Sequence, residues 1–360
     1  MSEGNILITA PSLDTKKNVS GISSVVNFII SNNNSKTYTH FELGRRDNEK
    51  RNLWWLFRII GTTFKWMFVV SSKKISLVHF NFALQKASVV RDAPLVLFTK
   101  LIRKKMIIHL HGGEYLIEQK PPGWMNFFIK KVFSGNIPVL VLSPIEQQAA
   151  RDNYKVKNVQ VLPNCVDLKI AKTLQRNYDT QVPLKLLFIG RIRINKGVEH
   201  IYQALTILKN RQVPFKFYMA GAGPDEKEYV EKFTQLLGDS FEFKGVVSGV
   251  AKTDLLKACD IFLLPSFFPE GLPMALLETM SFGLVPVVTD IGSIKYVVKN
   301  DNNGIMLGED PPAEIAAAIE NLVSNRPVVE RLSKNASSYI FKNYDPDDYI
   351  ARLNKIYESL

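Results

Sequence analysis

Residues 261–278 of this chain read IFLLPSFFPEGLPMALLE, and this stretch decides which fold the sequence can adopt. The apolar run Ile261–Leu264 predicts a buried strand, because strands covered on both faces of a parallel sheet are apolar throughout. Pro273 suits the first turn of a helix, where its missing N–H group is not needed. The segment therefore predicts a strand, a loop and a helix in succession, which is the repeating unit of an α/β protein.

The loop between this strand and this helix has the composition of an anion site. Gly271 has no side chain and lets a ligand approach the backbone. The N–H groups of residues 272–275 would bind an anion at the start of the helix. Glu270 before the helix and Glu278 within it can each accept hydrogen bonds from hydroxyls, such as those of a sugar and a ribose. Taken alone, each is more simply a solvated surface acid, and only the whole string indicates a site. Its candidate ligand-binding residues are Glu270, Gly271, Leu272, Pro273, Met274 and Glu278.

Strand and helix patterns alternate on both sides of this stretch. Apolar runs predict strands at 5–10, 37–43, 76–80, 105–110, 139–142 and 159–162, and then at 185–189, 215–220, 240–243, 260–264, 285–289 and 304–307. The pattern predicts an α/β chain of two Rossmann-like, doubly wound domains facing each other across a ligand cleft. We expect the first domain at residues 1–168, a polar linker at 169–183 and the second domain at 184–344.

A second segment with phosphate-binding character lies at 188–197, FIGRIRINKG. It leaves a predicted strand and opens a predicted helix, with Arg191 and Lys196 on the turn and Gly190 before them. An arginine and a lysine five residues apart across such a turn can converge on one diphosphate. Two exposed basic residues are the plain alternative, and Arg193 fits that description better. The final Lys-Ser/Thr of a Walker P-loop is absent from this segment.

Further loops at predicted strand ends carry glycine or histidine. Gly221-Ala222-Gly223-Pro224 predicts a structural turn, since Gly-x-Gly without a third glycine is weak evidence for dinucleotide binding. Gly245 and Val246 follow another short strand and are candidates for contact with a nucleotide base. Cys165, in the turn 163–167, is expected to be a lone buried thiol.

The first domain carries the segment HLHGGE at residues 109–114. His109 and His111 share one face of a strand, but no third metal ligand accompanies them, and the two glycines suit close ligand approach. We expect His109 to face the core and His111 to stand at the strand exit. Glu114 is a further candidate for ligand contact, and Gly21 is a candidate for close approach of a ligand near the N-terminus.

These motifs together resemble the retaining glycosyltransferases of the GT-B fold, in the bacterial "glycosyl transferases group 1" family of the family 4 type. Glu270 and Glu278 match that family's pair of glutamates separated by seven residues, and the likeness is clearest from Pro163 to Leu307. The resemblance implies that Glu270 lies near the donor-sugar hydroxyls, Glu278 on the nucleotide ribose, and Arg191 and Lys196 on the diphosphate. It implies further that His111 touches the sugar and the leaving phosphate, that Gly21 lies over the diphosphate, and that Glu114 contacts the acceptor. Residues 345–360 would form a helix packed back on the first domain, and Gly190, Gly245 and Val246 would also contact the donor.

The resemblance also implies an activity. The chain is expected to transfer a sugar from a nucleotide diphosphate donor, with UDP favoured, to a glycan or lipid-linked acceptor, without a metal ion or other cofactor. His111, Glu270, Arg191 and Lys196 are the expected catalytic residues. Surface polysaccharide assembly (capsule, lipopolysaccharide O-antigen or exopolysaccharide) is the expected pathway. A nucleotide-sugar epimerase or hydrolase of the same fold is the alternative enzyme.

The net charge of +12 on 360 residues is unevenly placed. Residues 1–150 carry 20 Lys and Arg against 9 Asp and Glu, a balance of +11, and they hold all four tryptophans. Such a balance suits an anionic partner. The amphipathic segment 53–70 is a poor membrane-spanning helix because Arg58 and Lys65 interrupt it. It is either an ordinary packed helix or a membrane-surface helix.

The composition excludes disorder, a collagen-like repeat and a disulfide scaffold, since 46% of the residues are hydrophobic and only two are cysteines. A basic nucleic-acid-binding protein is the alternative from a different class, but the sequence carries none of the known binding modules. No signal-peptide core is evident near the N-terminus. The expected location is the cytoplasm, with peripheral attachment to the inner face of the cell membrane through 51–74 and other basic residues.

Overall fold

The computed structural model describes residues 4–14, 17–18, 20–44, 53–178, 183–268 and 271–360, with the side chains of 53–56 left out. The chain divides into two compact units, Met1–Asn164 with Pro346–Leu360, and Cys165–Asp345. The predicted boundaries at residues 168 and 344 fall within four residues of these divisions. Each unit is built around one parallel six-stranded sheet.

The first unit alternates strands and helices along residues 5–161. Its strands are β1 (Asn5–Ala10), β2 (Tyr38–Glu42), β3 (Ile75–Phe82), β4 (Lys105–Leu110), β5 (Val139–Val141) and β6 (Val159–Val161). Its helices up to this point are α1 (Gly21–Asn32), α2 (Leu53–Val70), α3 (Lys86–Leu101), α4 (Glu114–Ile117), α5 (Gly123–Phe133) and α6 (Pro144–Tyr154). The sheet order is β2-β1-β3-β4-β5-β6, and every pairing is parallel.

The second unit repeats the architecture. Its strands are β7 (Leu184–Ile189), β8 (Phe215–Ala220), β9 (Phe241–Gly245), β10 (Ile261–Leu264), β11 (Val285–Thr289) and β12 (Ile305–Leu307). Its helices are α7 (Val198–Asn210), α8 (Glu226–Leu237), α9 (Gly249–Ala258), α10 (Met274–Ser281), α11 (Ile294–Val297), α12 (Pro311–Ser324) and α13 (Arg326–Asn343). The sheet order β12-β11-β10-β7-β8-β9 is that of a dinucleotide-binding Rossmann domain.

The last helix, α14 (Pro346–Glu358), belongs to the first unit, although it follows the second in sequence. Tyr349 of α14 packs edge-on against Phe28 of α1, with ring centroids 6.1 Å apart. Asn354 exchanges amide hydrogen bonds with Asn33. These contacts are the ones that the predicted helix 345–360 requires.

Helix α2 has one buried face and one exposed face. The indole of Trp66 is fully buried, and its Nε1–H donates to the Leu95 carbonyl and to the Thr99 hydroxyl of α3 at 3.1 Å each. On the opposite face, Phe57, Phe64 and Phe68 are 64%, 67% and 84% exposed. The helix is therefore an ordinary packed element that still presents aromatic side chains to the surface.

The polar stretch after residue 168 is anchored to the second unit rather than loose. Arg176 donates hydrogen bonds to the carbonyls of Phe282 and Cys259 and forms an ion pair with Asp260 at 3.1 Å. Cys165 and Cys259 are buried free thiols, and burial raises the pKa of each, that of Cys259 to about 12. The expectation of a lone buried thiol at Cys165 is confirmed.

Candidate functional site

The strand order of the second unit reverses between β7 and β10, which lie side by side. Doubly wound sheets bind ligands at the carboxyl ends of the strands that flank such a reversal, since the loops that follow leave toward opposite faces. The loop after β7 carries Arg191 and Lys196, and the loop after β10 leads through Gly271 into α10. The topology therefore brings the two predicted motifs to one edge of the sheet.

Hydrogen bonds join these two loops directly. The Asn195 carbonyl accepts from the Phe267 N–H and from the Ser266 hydroxyl, both at 3.1 Å. Gly197 closes the β7 loop with a φ of +84°, and a Cβ on it would lie 2.1 Å from the Pro265 carbonyl oxygen. A glycine at 197 is therefore required by contact between the loops.

The two predicted phosphate-binding side chains lie on the β7 loop. The ammonium of Lys196 stands 5.7 Å from the centroid of the Phe268 ring, a cation–π contact that holds it at the edge shared with the β10 loop. Arg191 is partly exposed, while Ile192 beside it is fully buried. Arg193 is exposed, as the sequence predicted.

Helix α10 begins one residue later than expected, at Met274, with Pro273 as its N-cap residue. The Pro273 carbonyl accepts from the N–H groups of Leu276 and Leu277. The N–H groups of Met274 and Ala275 have no acceptor among the described residues, as expected for a first helical turn. They are donors suited to an anion. Gly271 precedes them, and its carbonyl accepts from Ser293 N–H at 3.3 Å.

Of the two predicted glutamates, Glu270 lies outside the described residues. Glu278 on α10 forms an ion pair with Lys252 on α9, with 2.7 Å between Oε1 and Nζ. Both side chains are partly buried, so Glu278 is a held carboxylate rather than an exposed helix acid. Sequence reasoning missed Lys252, because its partner lies 26 residues away and only the fold brings them together.

The Gly-x-Gly turn after β8 has a packing role, as expected. A Cβ on Gly221 would lie 1.8 Å from the Gly190 carbonyl oxygen, and one on Gly223 would lie 1.9 Å from that of Ile192. These glycines make room for the β7 loop. Gly245 ends β9 and accepts from Gly221 N–H at 2.7 Å, and Val246 after it is 46% exposed.

The first unit has its own strand reversal, between β1 and β3. Gly21, after β1, is the first residue of α1 and is exposed. His111 follows β4, and its Nε2 lies 2.6 Å from Oδ1 of Asn81 on β3. Asn81 in turn donates from Nδ2 to the Thr9 carbonyl at 2.7 Å. Asn81 is a polar residue near the end of an apolar strand, and this break in the apolar pattern is the sequence signal for its contact with His111.

Gly113, the second of the two glycines after His111, has a packing role. A Cβ there would lie 2.5 Å from the Leu84 carbonyl oxygen, in the turn after β3. Glu114 begins α4, and its carboxylate accepts from the Lys86 N–H at the start of α3 at 3.4 Å. Glu114 therefore has a structural partner within its own unit, and acceptor contact by Glu114 stays a prediction.

His109 is fully buried, as expected, and lies between His79 and His111. Burial lowers the pKa of His111 to about 3 and that of His79 to about 3, and it lowers the pKa of His109 well below its usual value. No cluster of three or more His, Cys, Asp or Glu side chains suited to a metal ion occurs in the part of the chain that the structure describes.

The two Rossmann-like units define the GT-B fold. Residues 174–339 match the family model "Glycosyl transferases group 1".

Curated proteins that are similar to this chain are named as glycosyltransferases. An uncharacterized glycosyltransferase of Methanocaldococcus jannaschii is 25% identical over 73% of this chain and 71% of its own length. The N,N'-diacetylbacillosaminyl-diphospho-undecaprenol α-1,3-N-acetylgalactosaminyltransferase of Campylobacter jejuni is 28% identical over 48% of this chain and 44% of its own. The amylovoran biosynthesis glycosyltransferase AmsK of Erwinia amylovora is 24% identical over 69% of this chain and 61% of its own. The last two matches cover less than two thirds of the relative.

Solved structures share the fold. HepE of Anabaena, in complex with UDP and glucose, superimposes with a TM-score of 0.75 at 16% identity, covering 99% of this chain and 100% of HepE. Sucrose-phosphate synthase of Thermosynechococcus elongatus superimposes with a TM-score of 0.80 at 15% identity, covering 99% of each chain.

Proposed function

We propose that this chain transfers a sugar from a nucleotide diphosphate sugar, with a UDP-sugar as donor, to a hydroxyl of a glycan or lipid-linked acceptor. The observation that carries the proposal is the junction of the β7 and β10 loops at the strand reversal of the second unit. Two cationic side chains and the first amides of α10 belong to these loops. Held donors of this kind stabilise the charge that develops on a leaving diphosphate.

In the proposed reaction, the bond between the anomeric carbon and the diphosphate oxygen breaks, and the acceptor oxygen bonds to the same face of that carbon. The leaving phosphate oxygen takes the acceptor's proton, so configuration is retained. Arg191, Lys196 and the amides of α10 supply the stabilising charge, and we propose that the reaction needs no metal ion or other cofactor. Glu270 positions the sugar, and Glu278 holds the ribose hydroxyls.

The names of similar proteins support the substrate classes. The Campylobacter relative is named for a diphospho-undecaprenol acceptor, and the Erwinia relative for amylovoran biosynthesis. HepE was solved with UDP and glucose. We propose accordingly that the chain acts in surface polysaccharide assembly, on the cytoplasmic face of a membrane, to which its basic first unit attaches peripherally.

The experiment that tests the donor site compares Arg191→Ala with Arg193→Ala by calorimetric titration with UDP and by sugar transfer. Arg191 is partly exposed on the β7 loop, and Arg193 is exposed two residues away. A charge-assisted hydrogen bond contributes about 1.5–3 kcal/mol, so Arg191→Ala should weaken UDP binding by about tenfold to a hundredfold. Arg193→Ala should bind as the parent protein does.

Two results would contradict the proposal. Equal UDP affinity in both arginine variants would remove the diphosphate site from this loop. Release of free sugar or of an epimerised donor in the absence of acceptor would identify a hydrolase or an epimerase of the same fold instead.

A further inference from the structure

An ion pair joins two helices of the second unit beside the candidate donor site. Lys252 lies on α9 and Glu278 on α10, and 2.7 Å separate the lysine Nζ from Oε1 of the glutamate. Their side chains are 30% and 21% exposed, so both are partly buried. The other carboxylate oxygen, Oε2, has no partner in the part of the chain that the structure describes. The pair therefore holds one oxygen of Glu278 and leaves the second available to a ligand.

The position of Glu278 on α10 suits the layout of a nucleotide. Met274, the first residue of the helix, lies four residues earlier, and so on the same helical face and about 5.4 Å away along the axis. The Met274 N–H group is one of the amides at the helix start that are suited to a phosphate. Since a ribose is bonded to its phosphate, its hydroxyls come close to a carboxylate one turn further along the helix.

Lys252 also lies next to the loop that is the candidate for contact with the base. It belongs to the first turn of α9, and its N–H donates to the Ser248 carbonyl at 3.4 Å. That turn directly follows the loop of Gly245 and Val246. Val246 is 46% exposed, and a Cβ on Gly245 would meet nothing within 4 Å, so the loop borders open space. The ion pair therefore ties the ribose candidate to the helix that begins at the base candidate.

Stability alone is a weak reason for this ion pair. Partly exposed ion pairs contribute little to the free energy of unfolding, because water screens the charges and two long side chains lose their freedom. For binding, the same loss of freedom is useful, since a carboxylate that is already oriented does not have to be ordered when the ligand arrives. The pair should therefore affect nucleotide affinity more than folding.

We propose that Lys252 is a positioning residue that holds Oε1 of Glu278 and turns Oε2 toward the ribose hydroxyls of the donor nucleotide. The inference rests on the proposed function and narrows its donor to a ribonucleoside diphosphate sugar. A site that hydrogen-bonds a substrate hydroxyl discriminates against the analogue without it, because the buried acceptor then loses its partner. Lys252 acts through Glu278 and touches neither the diphosphate nor the sugar.

Calorimetric titrations with UDP and with 2′,3′-dideoxyuridine diphosphate test the inference, because the two ligands differ only in the ribose hydroxyls. Hydrogen bonds to a charged group are worth about tenfold to a hundredfold in affinity, so the parent protein should prefer UDP by about that ratio. Lys252→Met should lose most of this preference, chiefly through weaker UDP binding, while the affinity for the dideoxy analogue stays nearly unchanged. Lys257→Met replaces an exposed lysine of the same helix and is the matched control, which should keep the full preference.

A double-mutant cycle tests whether Lys252 acts through Glu278. Glu278→Ala should lose the preference by itself, and adding Lys252→Met to it should change the ratio no further. A further loss in the double variant would overturn the inference, since the lysine would then contact the ribose directly. Equal weakening of both ligands by Lys252→Met would also overturn it, because the lysine would then contact the diphosphate or support the fold.

Transfer kinetics give a second measurement. A contact with the ribose is the same in the ground state and in the transition state, so Lys252→Met should raise the donor KM and leave kcat unchanged. A lower kcat at an unchanged KM would contradict the positioning role.

The parent protein separates this inference from the proposed function. If it transfers sugar and binds UDP, and Lys252→Met keeps the same preference over the dideoxy analogue, the inference alone is refuted. If the parent protein binds none of UDP, GDP and ADP, the proposed function is refuted, and this inference with it.

Discussion

Gly197 illustrates why a glycine in a loop of phosphate-binding type does not by itself indicate a ligand-binding site. Its neighbour is the backbone of Pro265, at the end of β10. The same holds for Gly113, whose missing side chain makes room for Leu84. In both places a glycine lets two loops at neighbouring strand ends pack together, and that contact places the side chains beside it, Lys196 and His111.

Substituting Gly197 should therefore cost more than its backbone angle alone explains. Gly197→Ala meets a backbone oxygen at 2.1 Å, whereas Gly249→Ala, with a φ of +55°, meets nothing within 4 Å. A left-handed alanine costs roughly 1–2 kcal/mol. We expect Gly249→Ala to lower the free energy of unfolding by about that much. Gly197→Ala should lower it by several kcal/mol and should also abolish UDP binding. Amide hydrogen exchange in the second unit measures both, and equal losses would contradict the crowding argument.

Single residues also show where prediction from sequence ends. The positions of Arg191, Lys196 and Glu278 follow from local patterns, because each lies on a loop or helix that directly follows a strand. Their partners do not follow, because Lys252 approaches Glu278 only after α9 and α10 have packed. In the same way, Asn81 orients His111 only because β3 and β4 pair in one register.

At the scale of elements, the strands were predictable and their partners were not. Apolar runs placed all twelve strands within two residues at each end, since parallel strands are buried on both faces. Helix α3 is harder to predict from the sequence, because Pro94 lies in its middle and a proline usually ends a helix. The order of the strands within each sheet does not follow from any local stretch of sequence. At its reversal the first unit has the order β2-β1-β3, whereas the second unit has β10-β7-β8.

A column of three histidines in the first unit, made of His79 on β3, His109 on β4 and His111 just after β4, should make this unit sensitive to acid. Folding keeps these imidazoles neutral with pKa values lowered to about 3 for His79 and His111, whereas in the unfolded chain they bind protons below about pH 6.5. Unfolding therefore takes up protons, so stability is complete above pH 6.5 and is lost as the pH falls toward 3. Each imidazole contributes a slope of roughly 1.4 kcal/mol per pH unit in this window.

Urea unfolding followed by tryptophan fluorescence measures this slope, because all four tryptophans lie in residues 1–150. Between pH 6 and 5 we expect the first unit to lose stability steeply. His79→Gln should make that loss shallower by about the contribution of one imidazole. His200→Gln, in the second unit, is the control and should leave the tryptophan signal unchanged. A stability that is flat from pH 7 to 5 would show that the column does not stay neutral on folding.

At the scale of the whole molecule, two units of one architecture carry different surfaces. Residues 1–150 have a balance of +11, whereas residues 151–360, with 26 Lys and Arg against 25 Asp and Glu, have a balance of +1. The exposed aromatic side chains follow the same division: Phe57, Phe64 and Phe68 on α2, and Trp124 and Phe127 on α5, are more than half exposed. None of the described helices is long and apolar enough to cross a bilayer.

Aromatic side chains beside lysines are the composition of a surface that binds an anionic bilayer. Lys65 on α2 and Lys73 and Lys74 soon after its end are exposed, whereas Arg58 is half-buried and contributes less. A lysine near an anionic bilayer contributes about 1 kcal/mol, so replacing all three by Gln should weaken binding to phosphatidylglycerol vesicles by about a hundredfold. Phe64→Ser with Phe68→Ser should weaken binding to the same vesicles through loss of apolar burial.

Vesicle flotation measures both effects, with phosphatidylcholine vesicles as the uncharged comparison. Val250→Ser is the matched control, because Val250 is 77% exposed on α9 of the electrically balanced unit and should not affect binding. Raising the salt concentration should reproduce the lysine variant but not the phenylalanine variant, since only charge attraction is screened. If the three-lysine variant and the phenylalanine variant both float as the parent protein does, the basic excess of the first unit serves an acceptor or another anion, and α2 is only a packed helix.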